Sequence, residues 1–219
     1  MSTSATTPVQ PAAVGRLPKM LALGAVLLVA AGFVLKYVFH YYLNYNPAGF
    51  QVWWPKRAWL LMHITGGMTA LLIGPFQFSQ RLRQRHLKLH RFMGRTYLIA
   101  IACAASAAYY LAATTAFGQA WGLALAGLAT AWVTTSGMAF YAIKLRQIQV
   151  HREWMVRSYI VTFAFVTFRL LQDYGPTSHL QPDAARGVTW VWVSWAIPLL
   201  AAEVIMQLRK MRGLAAARS

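Results

Sequence analysis

Two short stretches set histidine beside arginine: His90 and Arg91 within LHRFMGRTY, and His151 and Arg152 within HREWMVRSY. A neutral imidazole is a good ligand for haem iron and for several metals. A guanidinium next to it can hold a carboxylate, such as a haem propionate, in bidentate fashion. His90 and His151 are therefore the candidate metal ligands, with Arg91 and Arg152 as candidate propionate partners and haem b as the cofactor. The competing reading is that histidines and arginines at helix starts hydrogen-bond lipid phosphates and neighbouring backbone. His63 and His40 form a further candidate cofactor-binding pair, whereas His86 and His179 read as loop histidines.

The elements that position these residues follow from composition. Of 219 residues, 58% are hydrophobic, and only 4 are acidic against 21 Lys and Arg. That is too little charge for the surface of a soluble domain, and it points to an all-α polytopic integral membrane protein. The net charge of +17 is no nucleic-acid footprint, because the basic residues sit in short runs between apolar segments. Cys103, the only cysteine, falls within a span, so no disulfide framework can be built.

A span needs about 20 residues to cross a hydrocarbon core of ~30 Å. Six segments meet that length: Met20 to Leu43, Ala58 to Phe78, Thr96 to Phe117, Trp121 to Ile143, Trp154 to Tyr174 and Val188 to Leu208. Residues 1–18 read as a disordered leader, 19–208 as the six-helix domain and 209–219 as a basic tail. Sixteen Lys and Arg fall in the leader, the second-to-third loop, the fourth-to-fifth loop and the tail; Lys56, Arg57 and Arg186 fall on the other side. The asymmetry predicts cytoplasmic N and C termini. His63 then lies about 15 residues, or ~22 Å, from the basic end of its helix, too far to share an iron with His90 and His151. His40 lies near the same depth as His63.

A shift of 61 positions aligns Gly66 with Gly127, Thr69 with Thr130, Arg85 with Arg146, His90 with His151 and Arg91 with Arg152. One more residue aligns Tyr97 with Tyr159. This register describes a parallel two-helix internal repeat, with convergent loop design as the alternative.

HITGG at His63 to Gly67, GPFQF at Gly74 to Phe78, LHRFMGRTY at Leu89 to Tyr97, HREWMVRSY at His151 to Tyr159 and TFRL at Thr167 to Leu170 together resemble a bacterial family of predicted membrane proteins, domain of unknown function 2306. WVSWAIPLLAAE in the last span is also similar, with Leu199 where the family pattern has Asn. The resemblance implies six helices and a bacterial inner membrane; it brings no established reaction.

Charges within the spans need partners. Arg169 can reach Asp173 one turn later, and Glu203 lies at the level of Arg95, Arg152 and Arg157. Gly66 and Gly67 thin one face of the second span, which permits close helix packing. Three functions fit these residues. One is a b-type haem protein passing electrons to a redox partner. Another is a small transporter or lipid-binding protein, whose arginine cluster attracts anionic lipid headgroups or a small-molecule substrate. The third is a structural or assembly protein.

Overall fold

The computed structural model describes residues 17–176, 178, 179 and 184–216. Among them are six helical segments long and apolar enough to cross a membrane: Leu21–Leu43, Pro47–Gln77, Leu87–Ala113, Gln119–Lys144, Ile148–Tyr174 and Ala185–Gly213, here called the first to sixth spans. Their outer faces carry Leu28, Ile99, Leu123 and Ile197, each more than half exposed. Water would not tolerate such a surface, but acyl chains match it.

The second to fifth spans form the core. Tyr97, Ile101, Ala104, Leu128, Trp132, Met155 and Val161 are buried together at its centre. The first span lies outside this bundle, where Ala30, Val34 and Val38 pack on Leu71 of the second span and Val166 of the fifth. The sixth packs on the fourth and fifth.

Small residues let the helices close up. A methyl group at Gly66 would stand 2.5 Å from the backbone oxygen of Ala100 and 2.9 Å from Ala104 Cβ, so the second and third spans touch there backbone to backbone. Gly67 faces only Trp132, at 4.0 Å. On the lipid side of the same helix pair, Leu61, Thr65, Thr69, Ile99 and Cys103 line a cavity of about 460 Å³.

Two span ends differ from the hydropathy reading. The third span begins at Leu87 and the fifth at Ile148, so His90, Arg91, His151 and Arg152 lie on helices rather than in loops. Basic residues there lower the local hydropathy without lowering helix propensity. The connection between the second and third spans is a short helix, Gln80–Arg85, whose N-cap Ser79 accepts a hydrogen bond from Leu82 N. The fourth span ends on Arg146 with φ of 58°; Gln147 N donates to Ala142 O and Arg146 N to Ile143 O. This is a Schellman closure with arginine where glycine is usual. The helix of the sixth span runs on to Ala216, through most of the basic tail.

Candidate functional site at the basic end

The third and fifth spans are locked together two turns inside the bundle. Tyr97 OH lies 2.8 Å from both Ser158 Oγ and Thr162 Oγ1. Ser158 Oγ is also 2.8 Å from Ser136 Oγ, and Trp132 Nε1 donates to Thr162 Oγ1 at 2.8 Å. Thr162 gives its own proton to Ser158 O. This buried hydroxyl chain joins three spans. Tyr97 and Ser158 stand seven residues, two helical turns, after His90 and His151 respectively. Pinning the helices at Tyr97 and Ser158 brings the two histidines into electrostatic range of one another.

His151 donates from Nδ1 to Ala139 O of the fourth span at 2.8 Å, which leaves Nε2 as the lone-pair nitrogen of the neutral ring. His90 has a buried Nδ1 with no hydrogen-bond partner. One turn on, Gly94 lies against Gln77, the last residue of the second span, which is 6% exposed and has an unpartnered Nε2. Gln77 and His90 therefore present two unsatisfied polar groups at the same end of the second and third spans. Gln77 does not stand out in the sequence; its one signal is an amide inside GPFQF.

Arginines close the site. Arg83, from the short connecting helix, is half-buried beside Arg152; burial first, then the Arg152 guanidinium, pushes Arg83 down from its ordinary value. His90 lies within electrostatic range of Arg83 and Arg91. Among the described residues, the carboxylates of this end are engaged elsewhere. Glu203 accepts from Arg157 Nε at 3.0 Å and Nη2, and from Gln207 Nε2 at 2.7 Å. Glu153 pairs with Lys210 at 2.7 Å. Of the three arginines at its level, Glu203 thus takes Arg157, which also stacks 4.8 Å over Trp154; Arg95 and Arg152 are exposed. Glu203→Gln should cost about 1 kcal/mol, discounted because the carboxylate is partly exposed, and lower the melting temperature in detergent. An unchanged melting curve would mean that the pair holds nothing.

The other candidates are not part of this cluster. His63 donates from Nδ1 to Ala104 O at 3.0 Å and packs edge-on against Trp132 and Phe165. His40 donates to Gly49 O at 3.2 Å and accepts from Asn44 Nδ2 at 3.1 Å, within its own helix–loop turn. These two histidines are held by separate partners and not by each other. Arg169 does not pair with Asp173. It reaches Gln172 at 3.4 Å and stacks over Tyr37, because Tyr37 and Lys36 of the first span approach Asp173 instead.

No group of three or more His, Cys, Asp or Glu that could hold a metal occurs among the described residues. The converging side chains are donors and cations, an arrangement suited to an anion rich in acceptor oxygens, and two of them are histidines able to ligate iron. Comparison with curated proteins gives no match, nor does comparison with solved structures. The family model described as Predicted membrane protein (DUF2306) matches residues 60–206, from the second span to the sixth, and so includes every residue of the cluster. The chain belongs to this family of predicted membrane proteins, DUF2306.

Proposed function

We propose that the basic end binds the phosphate of an anionic lipid headgroup, and that the protein is a lipid-binding or lipid-moving protein of the bacterial inner membrane with this end in the cytoplasm. The observation that carries the reading is that half-buried Arg83 lies within electrostatic range of Arg152 and forms no ion pair among the described residues. A guanidinium drawn partly out of water beside a second one needs a counter-anion. Gln77 Nε2 and His90 Nδ1 supply further hydrogen-bonding groups that the chain itself leaves unused. The excess of Lys and Arg at this end supports the cytoplasmic assignment.

The test is thermal stabilisation of the purified protein by short-chain phosphatidic acid, with the matching phosphatidylcholine and inorganic phosphate as comparisons. A ligand of the native state alone raises stability with the logarithm of its concentration. Phosphatidic acid should stabilise at concentrations about tenfold lower than phosphatidylcholine, and Arg83→Gln should remove that preference, as expected for the loss of one charge-assisted bond. Equal stabilisation by both lipids would overturn the reading, and stabilisation by inorganic phosphate alone would make the ligand a soluble anion.

A second reading is favoured by the two histidines. His151 keeps a ring nitrogen free, His90 has one unpartnered, and the two come from different helices, as a bis-histidine haem b site requires. Arg83, Arg91 and Arg152 would then hold the propionates. Haem would supply one-electron transfer; His90 and His151 would ligate the iron and the arginines would balance its charge. The visible spectrum of the same preparation, made with haem supplied, separates the readings. A reduced α band lost in His90→Ala or His151→Ala supports haem, and a colourless folded protein removes it.

A further inference from the structure

At the opposite end of the bundle, the first span departs from α-helical geometry. Val34–Val38 form a π-helical turn, a local widening often retained at functional sites. The turn aims Lys36 and Tyr37 at the end of the fifth span. Lys36 Nζ donates to Tyr174 OH at 2.7 Å and lies 3.8 Å from Asp173; Tyr37 OH donates to Asp173. Arg169 stacks 5.8 Å from the centre of the Tyr37 ring. The group thus holds two cations and one carboxylate, and a single anion would balance it.

Below this polar group lies a cavity of about 200 Å³ between the first and fifth spans. Val29, Phe33, Val166 and Leu170 make its walls, and Lys36, Tyr37 and Tyr174 close one end. Gly32 forms part of the lining, and a Cβ there would meet nothing within 4 Å. The cavity is open on the lipid side, where Val29 and Leu170 are exposed. Its shape in chemical terms is an apolar slot between two spans, ending in cations and hydroxyl groups.

We infer that this slot is a second binding site, for a single-chain membrane amphiphile with an anionic head: a fatty carboxylate whose chain lies along Gly32 and whose head sits at Lys36 and Tyr174. The head takes the coordination that Lys36, with three donors, has left after Tyr174 and Asp173. Tyr174, whose hydroxyl accepts from Lys36, keeps its own proton to donate to the head, and the carboxylate brings the local charge to zero. The site is independent of the basic end, which lies across the bilayer thickness from it, and it stands whether that end takes lipid or haem.

The experiment measures binding of radiolabelled dodecanoate and dodecanol to the full-length protein in phosphatidylcholine nanodiscs, at a pH where the acid is ionised. Dodecanoate should bind saturably and about tenfold more tightly than dodecanol, the ratio that one charge-assisted bond supplies. Lys36→Met should abolish the difference between acid and alcohol, and Gly32→Leu, which fills the slot from an open position, should block both. Equal affinity for the two probes in the native protein, or a preference for the acid that survives Lys36→Met, would overturn the site. If Lys36→Met does not fold, Gly32→Leu decides the matter alone, since undiminished dodecanoate binding in that variant excludes the slot.

Discussion

Gly66→Ala should reduce the unfolding free energy by about 2–3 kcal/mol, while Gly67→Ala, one residue away, should change it by less than about 0.5 kcal/mol. The contrast comes from what each new methyl group meets. At Gly66 it meets Ala100 O at 2.5 Å and Ala104 Cβ at 2.9 Å, neither of which can rotate aside. At Gly67 it meets the rim of the Trp132 ring at 4.0 Å, ordinary contact. To admit a methyl group at Gly66 the second and third spans must part, and the parting strains the nearby hydrogen bond from His63 Nδ1 to Ala104 O. Reversible unfolding in mixed micelles gives both free energies. Equal effects at the two positions would show that the close approach of these helices is not what the bundle depends on.

The second large effect is expected at Tyr97. Tyr97→Phe keeps the ring, which is fully buried, and removes one oxygen that lies 2.8 Å from two others. Ser158 retains Ser136, and Thr162 retains Trp132 and Ser158 O, so each neighbour loses one bond of several. The expected cost is about 2 kcal/mol, the penalty for leaving buried hydroxyls short of a partner. Ser136→Ala, at the end of the chain of hydroxyls, should cost about half as much. If the Tyr97 variant proves as stable as the native protein, the chain is not what fixes the third span against the fifth, and the approach of His90 to His151 needs another cause.

How much of this can be read from the residues depends on the range of the interaction. The spans are legible because each is a long apolar run, and hydropathy needs no knowledge of what a helix faces. Their ends are less so: Leu87 to Arg95 looks like a loop by charge but is helix, because arginine, lysine and leucine all favour helix. Glu203 is readable as an ion-pair partner because it is one carboxylate at a level crowded with arginines, although the sequence leaves three arginines open and Arg157 is the one engaged. For Asp173 the sequence points to its own helical neighbour Arg169, and wrongly. The groups that meet it, Tyr37 and Lys36, lie 136 and 137 positions earlier in the chain, and no spacing rule reaches so far. Tyr97 and Tyr159 correspond in the repeat once one residue is added to the 61-residue shift, yet one bonds Ser158 and Thr162 and the other donates to Leu71 O. In helices so uniformly apolar, sequence cannot tell which tyrosine turns inward.

The two outermost helices are fastened by directional bonds at opposite faces of the bilayer. The first span is held to the fifth through Lys36 and Tyr37, at the end opposite the His90 and Arg83 cluster. The sixth is held through Glu203 and Lys210, at the arginine end. At the Lys36 end, Tyr42 of the first span also bonds Thr65 of the second; the packing of Ala30, Val34 and Val38 is apolar, and acyl chains can replace such contacts at little cost. Thinning or thickening of the hydrocarbon layer must be met partly by tilt. The two helices would then lean about pivots on opposite sides of the membrane, turning lateral pressure into opposed rotations across an otherwise rigid four-helix frame.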